Sequence, residues 1–258
     1  MNSLERALLE KLGHDNGFEN VLAGELGEVR LGSARHRVEL SVVPTVGGFH
    51  LAVSALSQPL LLNELLRALP GIDDPAQGIG LKDHAQLALV LRRTAELAHA
   101  LPNQAARDYQ TRVVEELATL APLLKGTEVE RLVRQRVGQD VFRQAMLDYW
   151  GGACAVTGIA LGDVLRASHA KPWAKCDTDA ERLDVFNGFL LSANLDALFD
   201  RYLISFDDGG QLLISPEVTE QDRYLLGIQQ PLQLRWLAKQ HLPYLAFHRD
   251  VFSKLQQT

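Results

Sequence analysis

The chain has 258 residues, 47% of them hydrophobic, and carries 26 basic and 32 acidic side chains for a formal net charge of −6. This length fits one large or two medium domains with sizeable cores, and no run approaches the roughly eighteen apolar residues of a membrane span. Only two cysteines are present, Cys154 and Cys176, which excludes a disulfide framework and a four-cysteine zinc site. The N-terminal run MNSLERALLEKLGHDN has acids early and no apolar stretch, so the expectation is a cytoplasmic protein without a secretory signal.

In chain order, LERALLEKLG at 4–13 predicts a short amphipathic helix. Three β-like stretches follow, at 28–33, 36–44 and 49–56, with short turns that favour an antiparallel meander. Leu60 to Leu69 reads as a helix stopped by Pro70-Gly71, and Gly71 to Gly80 as a loop. Leu81 to Leu101 and Ala105 to Ala121 read as helices ended by Pro102 and Pro122. A domain boundary is placed at Lys125-Gly126, giving domains 1–126 and 127–258.

The second half opens with an arginine-bearing helix over 127–149, stopped by Gly151-Gly152. Cys154 to Gly158 predicts a short strand and turn, Val164 to Ala170 a strand, and Phe189 to Ser192 another strand. Asn194 to Phe199 opens a helix that the Asn194 side chain is placed to cap, and Tyr202–Phe206 with Gln211–Ile214 forms a hairpin.

One segment concentrates chemistry: RASHAKPW, an acidic stretch, then VFNGFLLSANLDALFDRYLI. Its anchors are His169, Asn187 eighteen residues later, and the acids Asp196 and Asp200. Metal-assisted phosphodiester cleavage requires a base for water and a hard cation at the phosphate. A histidine can supply the first, and two carboxylates at i,i+4 on one helix face can hold the second. Taken singly, each has a bland reading: a surface histidine, a tight Asn-Gly turn, solvated helix acids.

With RVGQDVFRQAMLDYWGGACAVTG before it and YLAFHRDVF after it, the ordered set resembles an HNH nuclease domain of the ββα-metal type, in the bacterial restriction-like branch. The resemblance covers roughly Glu128 to Phe252. It implies an α+β protein: an N-terminal mixed domain with a small antiparallel sheet, and a C-terminal ββα-metal nuclease. It further implies that His169 is the general base, that Asn187 braces the loop positioning it, and that Asp196 stands where the family's last histidine often sits. Asp200 then joins Asp196 on the metal, Mg²⁺ or Mn²⁺, with no structural zinc. Ser168 departs from the acid or histidine that many relatives place before the catalytic histidine, leaving few protein ligands.

The implied substrate is double-stranded DNA. Residues 1–130 hold 12 basic and 17 acidic side chains, a balance of −5, and residues 131–258 hold 14 and 15, a balance of −1. The second half is thus the better phosphate partner, with Arg136 and Arg143 on one helix face and Lys171 and Arg201 flanking the site. The N-terminal domain is assigned to substrate selection, including modified bases. A single such site cuts one strand, so double-strand cleavage calls for a homodimer or two successive nicks. Two other readings remain: a catalytically silent DNA-binding protein, and a nuclease effector or toxin triggered by a ligand or partner at the N-terminal half.

Overall fold

Asn2 starts the first helix, α1 (Ser3–Asp15), with a reciprocal capping box: its side chain accepts from the Glu5 N–H, and the Glu5 carboxylate accepts from the Asn2 N–H. The structure is a computed structural model that describes residues 1–54, 59–72, 78–120 and 127–257. They divide into two units, Met1–His99 and Ala100–Thr258. Among the described residues no helix is long and apolar enough to cross a membrane.

The first unit is built on strands β1 (Asn20–Leu22), β2 (Val29–Gly32), β3 (Leu40–Thr45) and β4 (Gly48–Val53), helix α2 (Pro59–Ala68), strand β5 (Ile79–Leu81) and helix α3 (His84–Ala100). The five strands form one antiparallel sheet in sequence order. Period-two alternation buries Val29, Leu31, Leu40, Val42 and Leu51 on one face. The three expected strands correspond to β2, β3 and β4, but residues 36–39 stay outside β3. Strands β1 and β5 are three residues each, too short for alternation to reveal, and β5 overlaps the stretch expected to be loop. Positions 55–56 of the third expected strand and 73–77 of the loop lie outside the described residues, as does the boundary placed at Lys125-Gly126.

The second unit comprises α4 (Pro102–Leu120), α5 (Thr127–Trp150), β6 (Leu165–His169), α6 (Asp179–Leu183), β7 (Gly188–Ser192), α7 (Ala193–Asp200), β8 (Ile204–Phe206), β9 (Leu212–Ile214), α8 (Glu220–Leu225) and α9 (Leu242–Leu255). Helix α4 belongs here because its Ala105, Tyr109 and Val113 pack on a four-spaced stripe of α5, Val133, Val137, Val141 and Ala145. Cys154 to Gly158 forms turns rather than a strand, although the Ala155 N–H donates to the Leu190 carbonyl beside β7 at 2.6 Å. An aromatic core of Tyr149, Trp150, Phe186, Phe189, Phe199 and Phe206 sits under these elements, with Trp236 stacked on Trp150 at 4.5 Å.

Strands β6 and β7 form an antiparallel pair running from Leu165 opposite Ser192 to His169 opposite Gly188. Gly188 is there because the strands pass too closely for a side chain. A Cβ at that position would meet the Ser168 carbonyl oxygen at 2.1 Å and the Phe142 ring at 3.0 Å. Both obstacles are fixed, one by the ladder and the other by the core. Gly188→Ala should therefore lower the melting temperature of this unit by about 5 °C or more, read by circular dichroism. A variant melting with the wild type would mean that the pair tolerates a wider spacing.

Candidate active site

Strand β6 ends in His169, whose imidazole lies flat on Phe142 of α5 at 3.7 Å between ring centroids and meets the Trp173 ring edge-on. Its Nε2–H donates to the Arg182 carbonyl at 2.9 Å. A carbonyl only accepts, so this contact fixes the tautomer and leaves Nδ1 with the lone pair. Burial holds the imidazole neutral, lowering its pKa to about 4 despite the opposing pull of the Arg182 carbonyl. A base that stays unprotonated well below neutrality is the result.

Asn187, at the start of the β7 turn, is fully buried and ties down the loop between β6 and β7. Its Oδ1 accepts from the Lys171 N–H at 2.8 Å, and its Nδ2 donates to the Lys171 carbonyl at 3.2 Å and to the Glu181 carbonyl at 3.0 Å. Arg182 adds bonds from its guanidinium to the Trp173 and Cys176 carbonyls, at 3.3 and 2.5 Å. The carbonyl that orients His169 is thus itself held on both sides.

Helix α7 follows β7 without a gap. Ser192, not Asn194, is its N-cap residue, and no side chain bonds the first turn. Asn194 lies inside the helix, where its side chain accepts from Ser192 Oγ at 2.7 Å and donates to the Leu226 carbonyl at 2.9 Å. The helix brings Asp196 against β6, where Ser168 Oγ donates to its carboxylate. One turn on, Asp200 is raised to about 6, first by burial and then by the charge of Asp196.

A cleft of about 300 Å³ joins these parts, lined by Ala167, His169, Pro172, Trp173, Phe199, Asp200, Tyr202 and His248. His248 is locked: Ser205 Oγ lies 2.9 Å from its Nδ1, its Nε2 donates to the Phe199 carbonyl at 3.0 Å, and its ring stacks on Phe199 at 3.8 Å. Both ring nitrogens are engaged and burial lowers its pKa to about 4, so it serves as a wall rather than a base. The structure thus brings His169 and Asp200 into one cleft, with Asp196 one helical turn from Asp200 and bonded to Ser168.

The four cations expected near phosphate are placed less simply. Arg143 donates to the Leu165 and Gly162 carbonyls at 2.8 and 3.3 Å, pinning the start of β6. Lys171 is ion-paired with Glu181 at 3.0 Å and Asp177 at 3.4 Å. Arg136 pairs with Glu116 across α4 and α5. Arg201, exposed at the end of α7, makes no ion pair among the described residues. Phe142, the Arg182 carbonyl, Trp173, Tyr202 and His248 carry no residue-type signal of their own. Two of them fall in flanking runs already noted as landmarks, VFRQAMLDYW and YLAFHRDVF.

Residues 154–207 match the family described as HNH endonuclease. The C-terminal half of this chain carries an HNH endonuclease domain. The matched segment runs from Cys154 through the β6–β7 pair and α7 into Phe206–Asp207, and so contains His169, Asn187, Asp196 and Asp200. HNH membership supports a nuclease acting on DNA in general terms. No curated protein matches the chain.

The residues of this HNH domain suit a divalent cation. Asp196 and Asp200 are oxygen donors, and Asp200 is raised first by burial and then by the charge of Asp196, a repulsion that a hard cation would relieve. Among the described residues no group of three or more His, Cys, Asp and Glu is placed to hold a metal, so water and substrate oxygens would fill the remaining positions. Asp200 has a pKa raised in the fold, so its proton is retained up to about pH 6 and competes with a cation. Mn²⁺ affinity, measured calorimetrically, should rise from pH 5 to pH 7 and level off above, and Asp200→Asn should remove most of that dependence. A wild-type affinity that is flat with pH would separate Asp200 from the cation.

Proposed function

We propose that this chain is a divalent-metal-dependent DNA endonuclease of the ββα-metal, restriction-like kind, acting in the cytoplasm. The observation that carries the reading is the neutral, oriented His169 lining the cleft that also holds Asp200. His169 Nδ1 takes the proton of the attacking water, and the imidazolium formed is held by its Nε2–H bond to the Arg182 carbonyl. Asn187 keeps that carbonyl in place through the loop it closes. Asp196 and Asp200 would hold Mg²⁺ or Mn²⁺, and Ser168 steadies the first of these carboxylates. A cation bound there supplies charge stabilisation at the phosphate and the leaving oxygen. The Met1–His99 unit is assigned to choosing the DNA, modified bases included, and cleavage of both strands would use a homodimer or successive nicks.

His169→Ala should lower the rate of supercoiled-plasmid nicking by ~10²–10⁴-fold, measured below the variant's melting transition because the lost ring also packs on Phe142. Retention of more than about a tenth of the wild-type rate sinks the assignment of the base. Asp196→Ala should raise the Mg²⁺ concentration needed for half-maximal nicking, with recovery at high Mn²⁺. An unchanged metal requirement with a lower melting temperature would instead mark Asp196 as structural, acting through Ser168.

A further inference from the structure

Helix α7 ends in a Schellman motif. The Leu203 N–H donates to the Leu198 carbonyl and the Tyr202 N–H to the Phe199 carbonyl, both at 2.9 Å. The residue after the C-cap of such a motif adopts the left-handed conformation, and helices overwhelmingly place glycine there because a Cβ is strained. Here the position holds Tyr202, with φ of +55°, the one non-glycine residue with positive φ among the described residues. Strain of this sort persists where the side chain has a use. The Tyr202 ring faces that of His248 at 4.6 Å, which Ser205 and the Phe199 carbonyl hold rigid. The side chain lines the cleft beside Asp200 and His169, and its hydroxyl finds no hydrogen-bond partner among the described residues. Tyr244, by contrast, donates its hydroxyl to Asp184 at 2.9 Å.

We propose that Tyr202 is a substrate-contacting residue whose hydroxyl donates to a non-bridging oxygen of the phosphodiester in the His169 cleft. The assignment rests on the nuclease reading of that cleft and adds to it a residue outside the His–Asn–Asp set. Asp196 and Asp200 repel a phosphate, and Arg143 and Lys171 are committed to carbonyls and carboxylates, which among the described residues leaves Arg201 and the Tyr202 hydroxyl as uncommitted donors at the end of α7. A phenol is neutral at pH 7 and donates without adding charge beside a cation site. The left-handed backbone and the His248 ring together hold the Tyr202 ring at the cleft.

The test compares Tyr202→Phe, which keeps ring and backbone, with Tyr202→Gly, which relieves the strain. Both should reduce kcat/KM for Mn²⁺-dependent plasmid nicking about tenfold or more, and the glycine variant should melt no lower than the wild type. In a His169→Ala background, fluorescence anisotropy with a short duplex should show weaker binding for the phenylalanine variant. The phenylalanine substitution decides: nicking and binding at wild-type levels overturn the proposal. A glycine variant that melts far lower, beside a fully active phenylalanine variant, would make the ring a structural wedge and also overturn it. If the wild type itself fails to nick any DNA, the nuclease reading falls separately. The duplex-binding comparison then still decides for or against Tyr202.

Discussion

Everything at this site hangs on one buried amide. Asn187 has no accessible surface, and its side chain satisfies both backbone polar groups of Lys171 and the carbonyl of Glu181. A buried amide left without those partners would cost about 1–3 kcal/mol for each unmade bond, so the loop has one strongly preferred closure. That closure puts the Arg182 carbonyl next to His169, and the carbonyl selects the tautomer that leaves Nδ1 basic. Asn187 thus acts, through the loop it closes, on which nitrogen of His169 keeps the lone pair. The same logic explains Gly188: with Asn187 buried and β6 drawn against β7, no room remains for a side chain there.

His169 and Asp200 are tuned in opposite senses by the same cause. Burial penalises charge, so it lowers His169 to about 4 and raises Asp200 to about 6. His169 is therefore neutral over the whole physiological range without help. Asp200, raised by burial and then by the charge of Asp196, keeps its proton up to about pH 6, and a cation bound beside it would compete with that proton. Lys171 and Arg182 supply no charge there, because they are turned toward loop carboxylates and carbonyls. An overall charge of −6 is compatible with a DNA enzyme of this kind when contact with the phosphate passes through a metal and neutral donors rather than a basic surface.

The ordered set His169, Asn187, Asp196 and Asp200 was legible in the sequence as functional groups at fixed spacing, and the fold carries them on the β6–β7 pair and α7. Strand β7 was legible from its apolar run and the Asn-Gly punctuator before it, whereas β6, which reads Leu-Arg-Ala-Ser-His, was legible from the motif it carries. Less legible was anything depending on a backbone atom or on packing. No residue type announces that the Arg182 carbonyl would orient the histidine, or that Phe142 would lie beneath it. Arg143 on its helix face looked like a phosphate contact, yet its guanidinium reaches two carbonyls, which periodicity cannot foresee. Placing α4 with the first domain followed Pro122 and Lys125-Gly126, local breaks in the chain. The four-residue stripe of Val133, Val137, Val141 and Ala145 is the longer-range signal, and it matches Ala105, Tyr109 and Val113 of α4.

The strands missed in the first unit and the tyrosine in the second expose the same limit from two sides. Strands β1 and β5 are stable because each pairs along its length with a neighbour, so the information that makes Asn20–Leu22 extended resides in Arg30–Gly32. Sequence periodicity sees only what a segment says about itself. At Tyr202 the local signal is present but points the wrong way: a bulky aromatic where the helix terminus calls for glycine. Local rules and the global fold agree through most of α7, from its apolar inner face to the backbone bonds that close its last turn. Where they disagree, the conflict falls within the cleft that holds His169 and Asp200. A broken local rule at that place is itself a reading of function.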